Sequence, residues 1–275
     1  MLPRPMVPLP GRHLTVGGNG AIPRGNDAKS VAVNRRGTSR GERGSLVVSH
    51  AVDAGRIRSV NEDRVFVDEA LGLFVVADGM GGMRNGGEAA DIVLEVVANL
   101  LTARSADESV IVAAIVSADE AVRTALGEGS SGSTVVVGQT TERHVVIAHA
   151  GDSRATMLRN GRLIALTADH NLAAVYVESG QLSADEARSH PSSSRLTSYV
   201  GMGVSMTVEV DRVEIEPGDW VILATDGLSL MLSDNEIVAV LSGSEPGTAA
   251  QALVDATLEA GAFDNVGVIV MSASE

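Results

Sequence analysis

The chain has 275 residues, 44% of them hydrophobic and 20% charged, which suits one compact domain or two small ones and excludes a fibrous or wholly disordered protein. Its 35 acidic against 21 basic residues give a formal charge of −14, so its average field repels nucleic acid and anionic membrane and attracts cations. With no cysteine, disulfides, thiolate nucleophiles and sulfur-built metal sites are excluded, and the longest apolar runs fall far short of the ~20 residues that cross a bilayer.

In chain order, residues 1–44 carry eight basic and two acidic residues, a net +6 that leaves −20 for residues 45–275. Rich in Gly, Pro and Asn and without an apolar run to bury, this stretch reads as a disordered basic tail. From residue 45 short β-branched stretches at Ser45–Val52, Arg64–Asp68, Leu71–Ala77, Thr134–Gln139, His144–Ala150, Arg154–Arg159 and Arg162–Leu166 read as strands between Gly, Asn and Asp turns. Asn160-Gly161 between the last two is a hairpin signal, since both positions tolerate positive φ. Helical spacing puts Ala89, Val93, Val96 and Leu100 on one face of Gly87–Ala103. It does the same for Val110, Ala114, Ile115, Ala118 and Val122 in Asp107–Leu126. Polar residues 171–194 follow, with Ser183 and Glu186 spaced as a helix cap. Strands at Met206–Ile215, Trp220–Ala224 and Asn265–Met271, and helices at Asp234–Leu241 and Thr248–Ala260, complete the order. That order lacks regular βαβ alternation and predicts antiparallel sheets covered by helices.

The acids sit where a site would need them. Leu73–Ala77 runs into Asp78-Gly79, Val221–Ala224 into Thr225-Asp226-Gly227, and His149-Ala150 into Gly151-Asp152. Three apolar strands therefore end in an aspartate beside a glycine, a rigid mount next to a backbone that a ligand can approach. Glu62-Asp63 and Asp264 add further acidic points. Carboxylates gathered together raise one another's pKa unless cations neutralise them, and hard divalent ions do so. The spacing alone argues for an oxygen-ligand site holding more than one ion.

The motifs Arg58-Ser59-Val60-Asn61-Glu62-Asp63, Asp78-Gly79-Met80-Gly81-Gly82 with Gly87-Glu88-Ala89-Ala90, Gly132-Ser133-Thr134, Gly151-Asp152-Ser153-Arg154, Thr167-Ala168-Asp169-His170, Thr225-Asp226-Gly227 and Asp264-Asn265 follow one another in this order. Over about residues 46–272 the chain resembles the bacterial members of the protein phosphatase 2C family. The resemblance implies an α+β fold, a four-layer α-β-β-α sandwich of two antiparallel sheets flanked by helix pairs. It implies hydrolysis of phosphoserine and phosphothreonine in proteins by a water held between two Mn²⁺ or Mg²⁺ ions. Asp78 and the Gly79 carbonyl would hold metal with Glu62, Asp226 and Asp264, and Asp152 a third, weaker ion. Arg58 would bind phosphate and Asp63 would orient water. Residues 171–194 would be a flap beside the site. The implied partners are phosphoproteins, a serine/threonine kinase among them, with no nucleic acid and no membrane span, for a cytoplasmic monomer.

The chain departs from the family pattern at several points. Met80 and Met83 stand where relatives carry histidine, Ser198 where many have arginine, and Gly267 where they have threonine. No histidine is an obvious general acid. These departures motivate the alternative of a weakly active regulator that binds phosphoproteins or a partner through the same fold.

Overall fold

The computed structural model describes residues 31–32, 46–80, 85–102, 107–129, 131–141, 143–188, 190–203 and 206–273. The tail assigned to 1–44 lies outside them except for Val31–Ala32 (β1).

Two sheets form. The first contains β1, β3 (Asp63–Asp68), β4 (Leu73–Met80), β6 (Val135–Thr140), β7 (His144–Ala150) and β10 (Glu209–Glu214) in that order, with the short β5 (Gly132–Ser133) beside the end of β4. The second runs β2 (Leu46–Asp53), β12 (Val266–Ala273), β11 (Trp220–Ala224), β8 (Arg154–Arg159), β9 (Arg162–Ala165). All their pairings are antiparallel apart from β1 with β3. The Asn160-Gly161 hairpin closes β8 on β9 with φ of 52° and 72°, between Arg159 and Arg162, which pair with each other.

Apolar clusters define the four layers. Between the sheets, Val65, Phe74, Val76, Val136 and Ile147 face Met157, Val221, Leu223, Ile269 and Met271. On the outer face of the first sheet lie α1 (Gly86–Leu100) and α2 (Glu108–Leu126), and on that of the second α5 (Asp226–Met231), α6 (Asp234–Ser242) and α7 (Ala249–Glu259). The strands β4 and β12, covered on both faces, therefore read as continuous apolar runs instead of alternating ones. Each fully buried Val, Leu, Ile or Phe contributes about 1.5–3 kcal/mol.

The helix faces match the sequence reading at Ala89, Val93, Ala114, Ile115, Ala118 and Val122 and differ from it elsewhere. In α1 the buried set is Ala89, Ala90, Val93, Leu94 and Val97, while Leu100 is exposed; in α2 Ile111 is buried and Val110 exposed. Each helix packs on both the sheet and its neighbour, so the apolar stripe is wide and Leu94 and Ile111 are drawn inside. Within residues 171–194, α3 (Leu172–Glu178) and α4 (Ala184–Arg188) form. The Ser183 cap appears as expected, with Ser183 N–H and Oγ–H both donating to Glu186 Oε2 at 2.8 and 2.7 Å.

Candidate metal centre

The ladder between β3 and β4 sets Asp63 directly opposite Asp78, so one end of the central sheet carries two facing carboxylates. Asp63 is only 2% exposed and accepts a 2.7 Å hydrogen bond on Oδ2 from the Thr225 hydroxyl. Thr225 follows β11 of the second sheet, and its Oγ1 in turn accepts the Gly267 N–H at 2.9 Å. One hydroxyl thus ties the two sheets together at the acidic edge.

Glycines bring the remaining acids close. A Cβ on Gly227 would run into the Asn265 carbonyl, so the start of α5, with Asp226, packs backbone to backbone on the loop bearing Asp264. A Cβ on Gly86 would stand 2.5 Å from Glu62 Oε1 and 2.7 Å from the Gly79 carbonyl oxygen. The Glu62 carboxylate and that carbonyl therefore converge on a single point beside the first turn of α1, and Gly87 N–H donates to Glu62 Oε1 at 3.3 Å. Asp152 sits in the β7–β8 turn, made possible by Gly151 at φ 117°. Asn265 holds the loop: its Oδ1 accepts the Glu62 N–H at 2.9 Å, and its Nδ2 donates to the carbonyls of Ala54 and Val60 at 2.9 and 3.1 Å.

Electrostatics follows from this crowding. Burial pushes the Asp63 carboxyl up to about 8, with Asp226 and Asp264 adding repulsion. Burial likewise carries Asp152 to about 8, helped by Asp226 and Asp169, and Asp226 to about 6, helped by Asp264. Asp78 is raised well above the ordinary carboxylate range by burial and by Asp63, Asp226, Asp152 and Asp264. Two arginines offset part of this charge. Arg154 makes a bidentate pair with Asp169 (Nε–Oδ1 and Nη2–Oδ2 both 2.7 Å) and lies in the field of Asp152 and Asp226. Arg58, half exposed, places Nη2 at 2.8 Å from Asp264 Oδ2; that bond, the Asp264 charge, Asp78 and Glu62 all favour its cationic form. The structure thus gathers every residue singled out in the sequence, Arg58, Glu62, Asp63, Asp78, Gly79, Asp152, Asp226 and Asp264, into one neighbourhood.

Three contributors were not assigned roles from sequence: Thr225, and the Arg154–Asp169 pair. Asp169 lies in one of the quoted motifs and Arg154 in another, but only the fold joins them. Met83 lies outside the described residues.

A different trio, His149, His170 and Glu209, has its ligand-type atoms within 4.8 Å of one another. Two of its three donors are imidazole nitrogens. Gly151 N–H donates to His170 Nδ1 at 3.3 Å, and His170 Nε2 lies buried 3.4 Å from Glu209 Oε1 without a hydrogen-bond partner. His149, whose pKa burial lowers, bonds the Ala168 carbonyl through Nε2 at 2.8 Å and stacks on His170 at 4.4 Å between ring centroids. The carboxylate edge has the opposite character: its donors are oxygens, negatively charged when ionised, short of cations and convergent at the Glu62–Gly79 point. That set fits hard divalent ions.

Fold and site together define a two-sheet sandwich that concentrates oxygen ligands for hard cations at one edge. The chain belongs to the protein phosphatase 2C family, whose model matches residues 56–258. It is 29% identical over 244 residues to the protein phosphatase PhpP of Streptococcus pneumoniae, covering 84% of this chain and 98% of the relative. It is 31% identical over 236 residues to the serine/threonine protein phosphatase PstP of Mycobacterium tuberculosis, covering 82% of this chain and 45% of PstP. Among solved structures, the catalytic domain of PstP in complex with two manganese ions superposes with a TM-score of 0.72 at 27% identity, over 84% of this chain and all of that one. The phosphatase Stp1 of Staphylococcus aureus does so with a TM-score of 0.76 at 26% identity, over 86% and 99%.

Proposed function

We propose that the chain is a metal-dependent protein phosphatase that hydrolyses phosphoserine and phosphothreonine in proteins, using the acidic edge as its centre. The observation that carries this reading is the convergence of five aspartates and Glu62 at one sheet edge, with Arg58 and Arg154 in their field.

Asp78, the Gly79 carbonyl, Glu62, Asp226 and Asp264 are the proposed ligands of two Mn²⁺ or Mg²⁺ ions, and Asp152 that of a third, weaker one. Bound there, such ions supply neutralising charge and activate water for attack on phosphorus. The side chains supply position. The Thr225 hydroxyl fixes the Asp63 carboxylate, which is set to accept a hydrogen bond from the attacking water and orient it. Asn265 N–H donates to Asp264 Oδ1 at 2.8 Å and holds that carboxylate in place. Arg58 presents a planar fork whose Nη2 already engages one carboxylate oxygen, and two phosphoryl oxygens are a better match for it. Arg154, held by Asp169, eases the repulsion at Asp226, while Asp169 itself adds negative charge beside Asp152 and Asp226.

The departures from the family pattern spare this set. The buried Ser198 hydroxyl donates to the Thr207 carbonyl and accepts the Thr207 N–H, both at 2.8 Å, and the Gly267 N–H donates to Thr225 Oγ1. No helix among the described residues is long and apolar enough to cross a membrane. We place the protein in the cytoplasm as a monomer, where ATP-dependent serine/threonine kinases make its substrates and are themselves candidates for dephosphorylation.

Phosphate release from a phosphothreonine peptide tests the reading. Turnover with Mn²⁺ that stops on adding EDTA is expected; binding of the peptide without turnover in saturating Mn²⁺ would overturn it.

A further inference from the structure

The large apolar residues left exposed are not spread evenly. Ile57 is 72% exposed, Val60 52% and Phe263 49%, three of the four most exposed large apolar side chains among the described residues. All three lie within two positions of the Arg58–Asp264 ion pair: Ile57 and Phe263 immediately before its two members, Val60 two residues after Arg58. The loops that carry them are in direct backbone contact. Arg56 N–H donates to the Ala262 carbonyl at 2.8 Å, and a Cβ on Gly55 would overlap the carbonyls of Asp264 and Ala262. Asn265 pins the first loop at Ala54 and again at Val60. The apolar side chains therefore project from a backbone held at several points, beside the arginine proposed to grip phosphate.

We infer that Ile57, Val60 and Phe263 form an apolar rim that selects phosphoprotein segments with a bulky apolar side chain within two positions of the phosphorylated residue. The inference rests on the phosphatase reading and adds to it the class of substrate. Its basis is reach. A polypeptide advances at most ~3.3–3.6 Å per residue, so a segment whose phosphoryl group sits on Arg58 must lay its nearest neighbours over the residues next to Arg58 and Asp264. Ile57, Val60 and Phe263 stand there beside the exposed Arg56 and Ser59, although the domain as a whole carries −20 and would otherwise favour basic flanks. Covering an exposed Ile or Phe with another apolar side chain removes both from water, and that gain is available only to substrates that bring one.

The test compares four substrates in saturating Mn²⁺, read by phosphate release: N-acetylphosphothreonine amide, which has no flanks, and three phosphothreonine peptides flanked by leucine, alanine or lysine. The wild-type protein should show kcat/KM about five- to tenfold higher for the leucine peptide than for the alanine peptide, mainly through KM. The double variant I57S/F263S should lose this preference while hydrolysing N-acetylphosphothreonine amide as before. Equal rates on leucine and alanine peptides, a preference for lysine, or a leucine preference that survives in the double variant would each overturn the inference. The wild-type comparison needs no variant and stays decisive if the double variant melts early. No turnover of any of the four would overturn the phosphatase reading itself, whereas turnover without preference overturns only the rim. Light scattering at the assay concentration covers the remaining occupant: self-association lost in I57S/F263S, with no peptide preference, would assign the rim to a second copy of the chain and contradict the proposal.

Discussion

Strand β11 has an aspartate just beyond each end, and the protein treats the two in opposite ways. Asp219, before Trp220, is 3% exposed, yet its carboxyl stays below the ordinary range. Burial alone would raise it, but the Arg159 guanidinium (Nε–Oδ1 2.9 Å, Nη2–Oδ2 2.5 Å) and the Glu216 N–H at 2.7 Å outweigh that. Asp226, past Ala224, is instead carried up to about 6 by burial and by Asp264. Where an acid is structural, this chain provides a dedicated fork from an adjacent strand. At the other end it stacks acids against one another, an arrangement that is stable in its ionised form only with cations from outside the chain.

Changes at each end should therefore break different things. The largest effect is expected at the functional end: Asp78→Asn or Asp226→Asn should lower kcat for a phosphothreonine peptide by more than about a hundredfold. Because repulsion is relieved, the melting temperature in EDTA should hold or rise; full turnover in both variants would show that these acids are not ligands. At the structural end Arg159→Ala leaves Asp219 buried without its fork, and urea denaturation should show a loss of about 3 kcal/mol with kcat retained. Arg58→Ala comes next, with KM for the peptide raised about tenfold, since one bidentate charge-assisted contact is lost; an unchanged KM would remove Arg58 from the phosphate site.

The gentlest contrast is in pH. In EDTA the native state holds protons on Asp63 and Asp152 up to about 8 and on Asp226 up to about 6, whereas the unfolded chain releases them near the ordinary aspartate value of 3.8. Native protein then binds more protons than unfolded protein in between, so unfolding free energy falls as pH rises. Urea midpoints should decline from pH 5 to 8 in EDTA and lose that decline in saturating Mn²⁺, which binds ionised carboxylates. A flat profile in EDTA would mean that the acids are not crowded as described.

The contrast between the two ends also marks what the sequence could disclose. Strand runs, the Asn160-Gly161 turn and the Ser183 cap are local patterns, and they appear close to where spacing puts them. The acidic strand ends were legible for the same reason, since an apolar run stopping at Asp-Gly is visible within seven residues. What stayed hidden depends on partners far apart in the chain. Arg159 with Asp219, Thr225 with Asp63, and Asn265 with Glu62 are 60, 162 and 203 residues apart. The short helix α5 was missed because its six residues are too few to show a period, and it begins on a residue read only as a ligand. That Leu94 of α1 is buried while Leu100 is exposed needed knowledge of its second neighbour, α2.

Titration calorimetry of metal-stripped protein with Mn²⁺ tests the central claim most directly. The account predicts at least two ions bound per chain, and at least one lost in Asp78→Asn with its fold intact by circular dichroism. Failure of the wild-type protein to bind Mn²⁺, or binding with the same stoichiometry and affinity in Asp78→Asn, would contradict it.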